Sequence, residues 1–347
     1  MNIVVRTPAR LHLGILDTNG NLGRLYGSIG VAIERPNVVL EAEPADQLIV
    51  QGFETERVAI FARRFLDHYT LPRGARLCLK ARIPPHVGLG SGTQLALAVG
   101  TALARLNGVE LGVAEIAVAT GRGAHSGIGI AAFEHGGFVL DGGRRVSRDD
   151  HAVPGTERWL LRDMGKCVPP VLFCLPFPED WHFVVVVPEM EAGLSGEIEK
   201  RAFRILPPAP EPLVEKISRL LLMRMLPALV ERDIISFGSA LTEVQRLVGE
   251  SFASVQGSRY AHALLEQLIG YLLESEAAGA GQSSWGPTVY ALVEGRDQAL
   301  SLERKARQYL ESHGGGQTFC ARADNRGARI KQTAIENVTK WHYSQAS

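Results

Sequence analysis

Pro84-Pro85-His86-Val87-Gly88-Leu89-Gly90-Ser91-Gly92-Thr93-Gln94 is the stretch on which the fold turns. Just before it, Leu77, Leu79, Ala81 and Ile83 alternate with Cys78, Lys80 and Arg82, the period of a half-buried strand. Just after it, Leu95, Val99, Ala102 and Leu106 recur at helical spacing, and Asn107-Gly108 supplies a helix stop. A strand, a proline pair, a glycine-rich turn and a helix together make an anion site. Glycines let the backbone come close, and the helix start presents unpaired N–H groups. Ser91 and Thr93 add hydroxyls. A helix end contributes only ~0.3–1 kcal/mol, or ~2 when sheltered, so a diphosphate needs arginines, lysines or a divalent cation as well. The spacing is neither that of a P-loop nor that of a Rossmann turn.

Outward from this turn, residues 2–6 and 11–16 read as short strands around Thr7-Pro8-Ala9-Arg10, followed by β segments at 29–34, 37–43 and 47–51. A helix over 55–69 buries Val58, Phe61, Phe65 and Leu66. Downstream lie a helix at 112–121, a glycine-rich stretch to 129 and a strand near 137–141, then a polar boundary at 142–156. The second half carries strands near 171–175 and 182–187 and helices near 196–205, 211–231, 233–249 and 258–276. A loop from Gly279 to Gly286, a strand at 287–293, a helix at 296–311 and a strand at 317–323 close it. Strands and helices in irregular order predict an α+β fold.

A chain of 347 residues is long enough for two lobes. Its 37 basic and 37 acidic residues balance, which excludes a general nucleic-acid binder. No apolar run approaches the ~18 residues of a membrane span, and Met1-Asn2-Ile3-Val4-Val5-Arg6 does not open a signal peptide. Cys78, Cys167, Cys174 and Cys320 form no Cys-x-x-Cys pair and no zinc spacing. Cys78 and Cys174, inside apolar runs, read as small core residues. Free thiols fit a reducing compartment, so the expected location is cytoplasmic.

Pro84 to Ser91 resembles the phosphate-loop signature of the GHMP kinases, the group of galactokinase, homoserine kinase and mevalonate kinase. Thr7-Pro8-Ala9-Arg10-Leu11-His12-Leu13-Gly14 is similar to that family's first motif, and Gly281–Leu292 takes the place of its third. The resemblance implies an N-terminal lobe like ribosomal protein S5 over 1–155, a ferredoxin-like C-terminal lobe with added helices over 156–332, and a tail at 333–347.

Three departures stand out. The kinase loop continues Gly-Leu-Gly-Ser-Ser, with the second serine helping to hold magnesium; here that position is Gly92. Many of the kinases carry Ser-Gly-Ile-Asp, whose aspartate acts on the acceptor hydroxyl; here Ser126-Gly127-Ile128 runs into Gly129. A positioned base is worth ~10²–10⁴-fold in rate, so its loss argues against phosphoryl transfer to an alcohol. The third motif, Gln282-Ser283-Ser284-Trp285-Gly286-Pro287, carries a tryptophan able to form an aromatic wall. With Ala124-His125-Ser126-Gly127-Ile128-Gly129, these features resemble the β-ribofuranosylaminobenzene 5′-phosphate synthases of methanopterin biosynthesis.

That resemblance implies decarboxylating transfer from phosphoribosyl diphosphate to 4-aminobenzoate or 4-hydroxybenzoate, with magnesium offsetting the leaving group's charge and no organic cofactor. It implies that Gly88, Gly90, Ser91, Gly92, Thr93 and Gln94 cradle a phosphate group. Arg10, His12, His125 and Ser126 are the catalytic candidates, and Arg24, Ser283, Ser284 and Trp285 the further substrate contacts. Each has a plainer alternative: a salt bridge for Arg10, a loop role for Arg24 and Tyr26, a structural histidine at His125, an anchor for its loop at Trp285. Lys80 and Arg82 read as a solvated face, and Glu189 and Glu191 do not reproduce the acidic pair of common phosphoribosyltransferases. No membrane or nucleic-acid partner is expected, and a homodimer is the default assembly. The competing readings are an ATP-dependent small-molecule kinase and a non-catalytic ligand sensor.

Overall fold

The computed structural model describes residues 2–72, 74–148, 159–161, 167–190 and 196–333. The first half alternates long strands with helices: β1 (Asn2–Asp17), β2 (Arg24–Pro44), β3 (Ile49–Gly52), α1 (Thr55–Tyr69), β4 (Ala75–Ala81), α2 (Ser91–Leu106), α3 (Val113–Ala119), α4 (Ile128–Glu134), β5 (Phe138–Asp141), β6 (Arg144–Arg148) and β7 (Trp159–Leu161). The second half holds β8 (Val171–Leu175), β9 (Trp181–Pro188), α5 (Gly196–Ile205), α6 (Glu211–Leu220), a π-helical turn (Leu221–Met225), α7 (Leu226–Glu231), α8 (Ile234–Gln256), α9 (Ala263–Glu274), β10 (Gly279–Gln282), β11 (Val289–Glu294), α10 (Arg296–Glu311), β12 (Gly316–Arg322) and β13 (Arg329–Thr333).

Two sheets organise these elements, one in the order β13-β1-β2-β4-β3 with β5 added beside β2 and β8 beside β5, the other in the order β10-β11-β9-β12. β8 and β13 join the first sheet, so its strands come from both sides of residue 155. The boundary expected at 155/156 and residues 334–347 lie outside the described residues. Among the described residues, no helix is long and apolar enough to cross a membrane.

β9 and β11 explain how the core is built. In both strands alternate residues face opposite sides and both sides are buried. Phe183, Val185, Tyr290 and Leu292 enter the large core shared with the first sheet. Val184, Val186, Val289, Ala291 and Val293 meet α9 and α10 through Leu265, Leu268, Leu272, Leu302 and Leu310. α2 is buried continuously from Gln94 to Ala104, wider than the stripe the sequence predicts. Ala96, Ala98, Gly100, Ala102 and Ala104 give it a slim profile, so it fits between the sheet and helices α1, α3 and α4.

The strands around the first motif are longer than predicted. β1 runs unbroken because Pro8 sits in a register shift between Thr7 and Ala9, where no ladder N–H is required. β2 likewise carries residues 34–37 outside its ladder with β1. α4 falls partly in the glycine-rich stretch expected to be loop, and β10 inside the expected Gly279–Gly286 loop. The helix expected over 211–231 is interrupted by the π-helical turn just before Pro227, whose missing N–H cannot continue the ladder. Cys174 is exposed, not core, because β8 pairs on one side with β5 and its side chains stay largely outside. Cys78 is half-buried.

Candidate active site

A cavity of about 450 Å³ opens where the first motif, the glycine-rich turn and the third motif converge. One wall is the turn itself. Gly88 has φ 91° and no room for a side chain, since a Cβ there would lie 2.3 Å from the Ser283 carbonyl oxygen. The turn is therefore packed backbone to backbone against the third motif, and only glycine fits. The Gly88 carbonyl accepts from the Ser283 hydroxyl at 2.7 Å and from the Arg10 guanidinium. The Val87 carbonyl accepts from the Thr288 hydroxyl at 2.6 Å, and Arg10 N–H donates to the Leu89 carbonyl at 3.1 Å. All three motifs thus fix one loop. His86 and Ser284, both lining the cavity, hold φ of 59° and 58°. Left-handed non-glycine residues cost roughly 1–3 kcal/mol each and persist where neighbours over-determine them, often at functional sites.

At the start of α2, Thr93 N–H and Gln94 N–H already donate to the Gly90 carbonyl. The amides of Ser91 and Gly92 precede these bonds and are left over at the helix start. Arg10, Arg57 and Arg122 line this end of the cavity, with Glu199 from α5 as the carboxylate among its lining residues. Burial lowers Arg10 to about 10 despite the nearby Glu199 charge. The same burial, with repulsion from Arg57 and Arg64, lowers Arg122 to about 10. Burial raises the Glu199 carboxyl, opposed by Arg10 and Arg122.

The other end of the cavity is aromatic. Trp285 meets Phe252 edge-on at 4.9 Å and Phe203 at 5.5 Å. His125 stacks on Phe203 at 4.3 Å, and Tyr26 closes edge-on against both. These rings come from β2, the loop before α4, α5, α8 and the third motif. Arg10, Arg57 and Arg122 mark one end of the cavity and the aromatic rings the other; Arg259, also in the lining, is paired with Glu250 and Glu266.

Of the residues singled out from the sequence, Arg10, His12, Gly88, Gly90, Ser91, Gly92, Thr93, His125, Ser126, Ser284 and Trp285 line this cavity. Three candidates are turned to other work. Gln94 is fully buried and donates to the Gly129 carbonyl at 2.6 Å, tying α2 to α4. Arg24 spends its guanidinium on the Gly142 and Gly143 carbonyls at 2.6 and 2.9 Å, a loop role. Ser283, also fully buried, accepts from His12 N–H at 2.9 Å and braces Gly88. Two of the catalytic candidates are constrained. His12 is pushed down to about 3 by burial and by Arg10, which favours a neutral imidazole. Ser126 accepts from Ile128 N–H at 3.2 Å and points its hydroxyl to Asp141 at 3.5 Å. Asp141, raised to about 6 by burial, accepts from Gly127 N–H at 2.8 Å and Gly143 N–H at 2.9 Å. It positions the His125–Gly127 loop from below.

The family model of the GHMP kinases N terminal domain matches residues 56–137, and that of the GHMP kinases C terminal matches residues 225–312. A β-ribofuranosylphenol 5′-phosphate synthase from Archaeoglobus fulgidus is 37% identical, covering 94% of this chain and 99% of the relative. One from Methanothermobacter thermautotrophicus is 32% identical over 94% and 98% of the two chains. The chain belongs to the β-ribofuranosylphenol 5′-phosphate synthase family. It is an enzyme of that family on a GHMP-kinase fold. Solved structures share the fold at low identity: homoserine kinase from Cytophaga hutchinsonii has a TM-score of 0.63 at 17% identity, covering 95% and 97% of the two chains. Mevalonate diphosphate decarboxylase from Staphylococcus aureus has 0.64 at 13%, covering 95% and 98%.

Within that fold, the space of two kinase groups is filled by something else. A Cβ at Gly129 would lie 3.1–3.4 Å from the Thr93 side chain, so Thr93 crowds the position of the kinase aspartate. A Cβ at Gly92 would lie 3.2–3.4 Å from the Arg122 guanidinium, so a cation abuts the position of the magnesium-holding serine. Magnesium is ordinarily held by one or two carboxylates along with substrate phosphates. The lining holds four guanidiniums and one carboxylate, Glu199, which with the substrate's phosphates meets the lower end of that donor set; no group of three or more metal-ligating side chains occurs among the described residues.

Proposed function

We propose that this enzyme joins C1 of phosphoribosyl diphosphate to the carboxylate-bearing ring carbon of a 4-hydroxybenzoate or 4-aminobenzoate acceptor. Diphosphate and carbon dioxide leave, at a step in tetrahydromethanopterin formation. The observation that carries the reading is a single cavity with a cationic, amide-bearing end and an aromatic end. The relatives are named for a phenol product, which favours the hydroxy acid.

The electron count closes without an external base. The C1–O bond breaks with its pair leaving on diphosphate, the ring attacks the oxocarbenium-like C1, and the C–CO2 bond pair returns to the ring. A site for this reaction must hold the anion, align the ring with C1 and keep water away. The Ser91 and Gly92 amides and the Ser91 hydroxyl suit the anion. Arg10, clamped between the turn and the cavity, adds a fixed positive charge. Trp285, Phe252 and Phe203 suit the ring and exclude water. The absence of an aspartate at position 129 agrees with a reaction that deprotonates no alcohol. Magnesium carried by the substrate's phosphates, with Glu199 as the protein carboxylate, would offset the leaving group's charge.

The test is to incubate the pure protein with phosphoribosyl diphosphate and carboxyl-labelled acceptor. Labelled carbon dioxide should appear only when both are present. ADP formed from ATP in the presence of an alcohol acceptor, with no carbon dioxide from the acid, would overturn the reading in favour of a kinase.

A further inference from the structure

Arg122 follows the turn after α3, where its own N–H donates to the Ala117 carbonyl at 2.7 Å, and its side chain reaches the start of α2. The Phe61 ring lies 4.7 Å from its Cζ, giving the guanidinium a cation–π bed. Its Nη1 and Nη2 stand 3.2 and 3.3 Å from where a Cβ on Gly92 would be. Among the described residues its buried Nε has no hydrogen-bond partner. The charges that act on it are Arg57 and Arg64, which repel it, and Glu199, which attracts it. Of these, Arg57 is already paired with Glu54. A guanidinium pressed among like charges with an incomplete set of acceptors is costly unless an anion completes the set. A side chain at 92 would make the guanidinium give way by a few tenths of an ångström.

We propose that Arg122 is the leaving-group ligand of the reaction: its guanidinium grips the diphosphate at the start of α2, beside the Ser91 and Gly92 amides, where the kinases use a loop serine and its magnesium. The inference rests on the phosphoribosyl-transfer reading for the identity of its ligand. Diphosphate is assigned here rather than the 5′-phosphate because three of the four arginines in the lining, Arg10, Arg57 and Arg122, gather at this end, while the fourth, Arg259, is paired with Glu250 and Glu266. A guanidinium stays protonated as the C1–O bond breaks, so it takes up the developing charge without a proton transfer.

Titration calorimetry with inorganic diphosphate, in a metal chelator and again with magnesium, tests this without the acceptor acid. Wild-type protein should bind diphosphate in the chelator. Arg122→Ala should lose about 10–100-fold of that affinity, the scale of a charge-assisted hydrogen bond, while ribose 5-phosphate binding changes little. Arg122→Lys should recover only part, having lost the planar fork. Gly92→Ala, which retains the arginine but crowds it, should weaken chelator-phase binding about threefold or more; this variant decides the matter if Arg122→Ala does not fold. Wild-type binding abolished by chelator, an unchanged Arg122→Ala, or an equal loss for ribose 5-phosphate would each overturn the proposal. Arg122-dependent diphosphate binding without labelled carbon dioxide would sink the reaction reading and leave the anion site standing. Carbon dioxide release with Arg122-independent binding would do the reverse.

Discussion

The two ends of the cavity are made in different ways. The anion end is built by backbone: Gly88 pressed against Ser283, the Val87 and Gly88 carbonyls held by Thr288, Ser283 and Arg10, and two amides left over at a helix start. The aromatic end is built by side chains from five separate segments, meeting edge-to-face apart from the stacked His125 and Phe203. A backbone site is spoiled by a single added carbon, whereas a side-chain site can be trimmed gradually. The difference predicts that changes at one end act on the donor and on folding, and changes at the other on the acceptor.

The largest effect should come from Gly88→Ala, which forces a methyl onto a carbonyl 2.3 Å away at a left-handed φ. It should cost about 2–4 kcal/mol, read as a fall in Tm, with donor turnover lost. Next, Arg10→Ala removes a desolvated charge bonded to the turn and should lower donor kcat/KM about 10²-fold, with Arg10→Lys a poor rescue. Trp285→Phe should raise the acceptor KM about 3–10-fold while the donor KM holds; an equal rise in both would erase the division between the ends. Ser91→Ala, losing one hydroxyl beside the amides, should cut donor kcat/KM about 3–10-fold.

The smallest is a pH effect beneath the aromatic end. Asp141 is raised from 3.8 to about 6 by burial, so the folded protein holds a proton there that the unfolded chain has lost. Its contribution to stability is full below pH 3.8 and is lost as pH rises through about 6. Asp141→Asn should flatten the dependence of Tm on pH between these values, and an unaltered slope would remove Asp141 from the titration. At the other end, His12 at about 3 predicts no activity inflection from this residue between pH 5 and 8.

The glycine-rich turn, its flanking strand and α2 could be read in the sequence because each follows a local rule: period two, a proline pair, then period 3.6. Trp285 stood out because a large ring in a glycine-rich loop is locally anomalous. Arg57, Phe203, Phe252 and Glu199 did not stand out, since each sits on an ordinary amphipathic helix and reaches the cavity only through tertiary packing. Arg122 left one trace, the glycine at 92 where a serine was expected: a missing side chain implies that something else fills the space. Gln94, Ser283 and Arg24 erred in the other direction. Their sequence positions beside or near the motifs are right, but the chain turns their polar groups toward backbone carbonyls and amides. Proximity to a motif reports on the loop, and the direction of each side chain is set by the element that follows.

The most direct measurement is a crystal structure of the protein soaked with phosphoribosyl diphosphate. The account predicts phosphate oxygens within hydrogen-bond distance of the Ser91 and Gly92 amides, with ribose C1 directed toward Trp285 and Phe252. Phosphates bound among the aromatic rings, or outside this cavity altogether, would contradict it.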